Sequence, residues 1–132
     1  MKKNTPIYQK ENVRVLIAVS DPLEMSSLEY LIVSKGFDYR KENNPIAALK
    51  TARIYRPDLI IIDVINPDFD GIEVARRIKN YKKYNHTRFI FLTESLIIAD
   101  KKNPVFSLED YYIMKPLNVD NVNRKINTMF EF

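Results

Sequence analysis

Apolar and polar residues follow two periods along this chain, and the switches between them mark its elements. Val13 to Val19 (VRVLIAV) is a near-continuous apolar run, the pattern of a strand buried on both faces. Asp21 and Pro22 then suit an N-cap and a first helical turn. Leu28, Leu31 and Ile32 share one face of that helix, which Gly36 should end. Phe37 to Glu42 reads as a weak, polar strand at a sheet edge. Asn44-Pro45 opens a second helix with Ile46, Leu49 and Ala52 inward. Asp58 to Asp63 is the strongest strand pattern, and after a loop a helix is predicted from about Gly71 to Tyr84 with Ile72, Ala75 and Ile78 inside. Phe89 to Thr93 (FIFLT) and Tyr111 to Met114 are two more strands. Between them, Glu94 to Ser107 begins with a helical pattern that Asn103-Pro104 should break. Asn118 to Phe130 is an amphipathic helix carrying Val119, Val122, Ile126, Met129 and Phe130 on its apolar face.

Strand and helix thus alternate five times, which predicts an α/β, doubly wound, five-stranded parallel sheet with right-handed crossovers and helices on both faces. Residues 1–12 read as an arm and residues 13–132 as one domain, long enough to bury roughly two-thirds of its unfolded surface. The chain has no cysteine, which excludes disulfides and thiolate metal sites. No apolar run reaches the ~20 residues of a membrane helix. The basic start MKKNTPIYQKEN leads into a strand pattern rather than a signal peptide, so the expected location is cytoplasmic. The net charge of +4 is mildly basic. Arg76, Arg77, Lys79, Lys82, Lys83 and Arg88 form a basic strip that reads as a solvated helix face, or as a contact for an acidic partner or nucleic acid. No helix-turn-helix or arginine-aromatic platform accompanies it. His86 lies in a polar linker and is not read as a ligand.

In such sheets, sites form beyond the carboxyl ends of the strands. There the sequence puts Ser20 and Asp21, Asp63, Thr93, and Lys115-Pro116: acids, hydroxyls and a base meeting at one edge. Asp63 closes a run otherwise fit for a core, where a carboxylate needs a partner or a use. Lys115 could pair with it. Thr93 could instead cap the segment that follows, Asp21 reads first as an N-cap, and Asp68 and Asp70 as residues shaping the loop before Gly71.

The stretches VLIAVSDP, PDLIIIDVINPDFDG, FIFLTES and YYIMKP, in this order and at these separations, resemble the response regulator receiver domain. That is the phosphoacceptor module of two-component signalling, and the likeness runs over about residues 13 to 130. The resemblance implies a flavodoxin-like sheet of order 2-1-3-4-5. It implies Asp63 as phosphoacceptor, Lys115 as a charge on the phosphoryl oxygens, and Thr93 and Tyr112 as a switch that moves in step. It further implies a cis Lys115-Pro116 bond. Magnesium would sit on Asp63 and the main-chain carbonyl of Ile65. The implied partners are a sensor histidine kinase or phosphotransfer protein and a downstream protein, with no membrane and no nucleic acid bound through this domain. Such a domain is a substrate of its own modification, not an enzyme with turnover.

Two departures qualify the resemblance. Where the family carries two adjacent acids, this chain has Val19 and Ser20, with Asp21 the next residue. Magnesium takes near-octahedral oxygen ligands, commonly with one or two carboxylates, so Mg2+ is expected to bind weakly or not at all, through Ser20 or Asp21 if at all. And Leu108 stands where the family has a glycine that caps the fourth helix, which predicts an irregular fourth helix. Two readings stay open: a phosphorelay receiver with weakened metal binding, and a phosphorylation-independent pseudo-receiver that serves as a protein-interaction module. A third, a nucleic-acid-associated basic protein, would show binding that falls steeply with salt.

Overall fold

The computed structural model describes residues 13–66, 69–81, 86–94 and 110–130. Five parallel strands make one sheet: β1 (Arg14–Ala18), β2 (Asp38–Glu42), β3 (Leu59–Asp63), β4 (Arg88–Thr93) and β5 (Tyr111–Met114). Their order is β2-β1-β3-β4-β5, the one expected. The central β3 is buried along its whole length and pairs with β1 from Val15↔Leu59 to Ala18↔Ile62. On its other side it pairs with β4 from Leu59↔Arg88 to Asp63↔Leu92. The polar β2 forms one edge, as its composition predicts.

Helices α1 (Pro22–Ser34) and α4 (Val119–Phe130) cover one face, and α2 (Pro45–Tyr55) and α3 (Gly71–Lys79) the other. Strand side chains alternate between two cores. Leu59, Ile61, Ile90, Leu92 and Ile113 join α1 and α4; Ile60, Ile62, Phe89 and Phe91 join α2 and α3. By that parity Asp63 and Lys115 both belong to the α1–α4 face.

Two expectations need correction. The third helix stops at Lys79, where the Asn80 N–H caps the carbonyls of Arg76 and Ile78, instead of running to Tyr84. Ile78 is its last buried residue, and Lys79, Asn80 and Tyr81 offer the core nothing further to bury. Ile46 points outward, 71% exposed, because α2 packs through Ala48, Ala52 and Tyr55, and Ile46 lies on the opposite side of that helix. The loop after β3 also holds a two-residue antiparallel pair, Ile65–Asn66 with Phe69–Asp70. It delivers the chain to Gly71, whose N–H donates to the Val64 carbonyl at 2.8 Å. A Cβ at Gly71 would lie 1.6 Å from the Asp63 carbonyl oxygen, so only glycine lets α3 start this close to β3. The expected arm at 1–12, the irregular fourth helix with Leu108, and Asp68, Lys82 and Lys83 lie outside the described residues.

Candidate functional site

Asp63 ends the central strand and is 1% exposed. Such burial is tolerable only for a carboxylate with charged or hydrogen-bonding partners. The Ser20 backbone N–H, just past the end of β1, donates to its Oδ2 at 3.1 Å. The Lys115 ammonium stands 2.9 Å from its Oδ1. Lys115 leaves β5 with its own N–H donating to the Thr93 carbonyl at 2.8 Å, and its bond to Pro116 is cis, as expected. Strand ends β1, β3, β4 and β5 therefore meet around one carboxylate.

The same ammonium lies 3.1 Å from Oε1 of Glu24, whose side chain is 14% exposed. Burial alone would push the Lys115 pKa down; the hydrogen bonds it donates to Asp63 and Glu24 outweigh it and hold the ammonium above the usual lysine value. Sequence reasoning missed Glu24. The spacing Asp21-Pro-Leu-Glu24 is that of a capping box, which would aim the glutamate back at its own helix end. Its contact with Lys115 exists only because α1 packs on the face that carries the end of β5.

Thr93 is 2% exposed at the end of β4, opposite Met114. Tyr112 sits one alternation back, opposite Phe91, and its ring stacks on Phe91 at 5.7 Å between centroids. Thr93, Phe91 and Tyr112 share one sheet face, so the two predicted switch residues are neighbours there. Burial, and then the charge of Asp110, push the Tyr112 phenol up to about 12. Asp21 is exposed, and its Oδ1 accepts the Leu23 N–H at 2.9 Å as the N-cap of α1. Asp70 caps α3 by accepting the Glu73 N–H at 3.1 Å.

This donor set does not fit a magnesium ion. The carboxylates here are the buried Asp63 and the half-buried Glu24, and both face the Lys115 ammonium, which would repel a second cation. Asp21 is committed to its helix cap. Among the described residues, no group of three or more His, Cys, Asp or Glu side chains has a metal-holding arrangement.

The basic strip, where described, is committed internally. Arg76 and Arg77 grip Glu73; Lys79 pairs with the buried Asp110, which also accepts the Phe89 N–H; Arg88 donates to the Met129 carbonyl. His86 is exposed, 3.8 Å from Asp58. No helix among the described residues is long and apolar enough to cross a membrane.

Comparison with known proteins agrees with this fold. Residues 15–127 match the response regulator receiver domain. The chain is 30% identical over 105 residues to the polar-differentiation response regulator DivK of Brucella anthropi, covering 80% of this chain and 85% of that protein. It is 29% identical over 122 residues to the alkaline phosphatase synthesis transcriptional regulatory protein PhoP of Bacillus subtilis, covering 89% of this chain but 48% of that one. Among solved structures, the chemotaxis response regulator CheY4 of Vibrio cholerae superposes with a TM-score of 0.77 at 20% identity, over 89% of this chain and 98% of that one. The receiver domain of the sensor histidine kinase PA1611 from Pseudomonas aeruginosa, with magnesium coordinated in its cleft, gives 0.75 at 22% identity, over 91% of this chain and 98% of that one. At such identities the structural likeness speaks for the fold alone. The family match over residues 15–127 takes in Asp63, Thr93 and Lys115, and on it the chain belongs to the response regulator receiver domain family of two-component signalling.

Proposed function

We propose that this domain accepts a phosphoryl group on the Asp63 carboxylate, from a sensor histidine kinase or a phosphotransfer protein, and passes the change to a downstream protein in the cytoplasm. The observation that carries the reading is the Lys115 ammonium 2.9 Å from a carboxylate that is 1% exposed at the end of the central strand. In the transfer, an Asp63 oxygen forms a bond to phosphorus as the donor's P–N bond breaks; the nitrogen keeps the electron pair and takes a proton. Lys115 offsets the charge on the phosphoryl oxygens. Thr93, buried at the neighbouring strand end, offers its hydroxyl to the new group, and Tyr112 on the same face follows its movement. Ser20 in place of an acid and the shared ammonium argue that magnesium contributes little. The domain takes part in its own modification and does not turn over.

A second reading, a pseudo-receiver that docks a partner without phosphate, is favoured by Val19 and Ser20 at the positions where the family has acids. Incubation with acetyl phosphate and magnesium, read by intact mass, separates the two. Gain of one phosphate, lost in Asp63→Asn, supports the acceptor. No gain in a folded protein overturns it and leaves the docking module.

A further inference from the structure

We infer that Glu24 is a positioning residue that makes the Lys115 ammonium the resident cation of this site, in place of a divalent ion. The inference rests on the reading of Asp63 and Lys115 as the working end of the domain, but not on whether phosphoryl transfer occurs. Three observations carry it. First, one ammonium bridges two carboxylates, at 2.9 Å from Asp63 and 3.1 Å from Glu24, and all three side chains are largely buried: 1% exposed for Asp63, 14% for Glu24 and 16% for Lys115. A carboxylate taken out of water persists only where a charge or hydrogen bonds answer it, and the ammonium answers both acids here. Second, Glu24 arrives from α1, beside the end of β1, where Val19 and Ser20 bring no carboxylate. Third, Asp21, the acid that follows Ser20 in the chain, accepts the Leu23 N–H as the helix cap.

An ammonium has three donors. Asp63 and Glu24 take two, which leaves one N–H to meet an incoming anionic oxygen. Because Glu24 holds the chain of Lys115 independently of Asp63, the cation stays in place when the charge on Asp63 changes. A diffusible ion would have to be bound afresh for that purpose.

The test removes the resident cation and asks whether a diffusible one takes its place. Mn2+ serves as a paramagnetic probe of the amide signals of Ser20, Val64 and Thr93, with Mg2+ as competitor. The wild-type protein should show no saturable broadening at millimolar metal. Lys115→Met leaves Asp63 and Glu24 facing one space and should gain saturable broadening that Mg2+ reverses. Lys115→Met with Glu24→Gln should bind about tenfold more weakly or worse, since affinity of such sites follows the number of charged ligands. Lys115→Gln, which keeps a donor for Asp63, repeats the series should Lys115→Met not fold. Saturable binding at Asp63 in the wild type overturns the inference. So does a folded Lys115 variant that recruits no cation, or one whose cation affinity is unchanged when Glu24→Gln is added. No phosphate enters this assay, so its failure and a failure of phosphoryl transfer are told apart.

Discussion

Gly71 is where the backbone that carries Asp63 is most sensitive. An alanine Cβ there would stand 1.6 Å from the Asp63 carbonyl oxygen, 2.7 Å from its carbon and 3.0 Å from Ile62 Cγ1. Two of these atoms are backbone, so relief requires α3 to retreat from β3 by about 2 Å before ordinary contact is restored. That retreat breaks the Gly71 and Ile72 N–H bonds to the Val64 carbonyl, at 2.8 and 3.3 Å. Each contributes about 1 kcal/mol, and overpacking adds roughly 1–3 kcal/mol, for a total cost of about 3–5 kcal/mol. Gly36 is the control. It has φ +76 with no heavy atom within 4 Å of a built Cβ, so alanine there meets only the left-handed backbone cost of about 1–2 kcal/mol. Urea unfolding of both variants at matched m-values gives the comparison. Amide spectra should show Asp63 and Val64 displaced in Gly71→Ala and unmoved in Gly36→Ala. A Gly71→Ala cost no greater than that of Gly36→Ala would rule out the close approach of α3 to the site.

Three further outcomes follow from other contacts. Lys79→Met takes the ammonium from Asp110, whose side chain is 2% exposed, and should cost about 2–4 kcal/mol in the same urea assay; adding Asp110→Asn should recover part of it, and no recovery would count against a charge penalty. Arg76 and Arg77 hold the Glu73 carboxyl down from 4.5 to about 2. A depressed carboxyl favours the folded state above its unfolded pKa and loses that preference as pH falls toward the folded one; carboxyl NMR should place the midpoint far below 4.5, and an ordinary midpoint would sink the pairing, whose effect on stability is small because solvent screens it. Asn44→Ala removes the acceptor for the Ala47 N–H at 2.9 Å and should cost about 1 kcal/mol, with Asn44→Asp nearly neutral; equal losses in thermal melts for the two variants would contradict the cap.

The linear pattern of residues was enough to specify the sheet, its order and most of the strand-end site. Strand and helix periods are local, and the alternation of β and α leaves few topologies, so Asp63, Thr93 and Lys115 were readable as residues that the fold would gather at one edge. The caps at Asp21 and Asn44 were readable for the same reason, since each bonds within a few residues of itself. The errors came where local signals outran burial: residues 79 to 81 continue a helical composition past Ile78, the last buried residue of that helix, and Ile46 is apolar on a helix whose inward face is already set by Ala48, Ala52 and Tyr55. Which charges meet was settled by packing in three dimensions. Glu24 and Lys115 come from the first and last parts of the fold, Lys79 and Asp110 from separate layers, and no period or spacing encodes either pair. Those meetings depend on how helices seat against the sheet, which the packing of two buried cores fixes and which the order of apolar positions along the chain does not express.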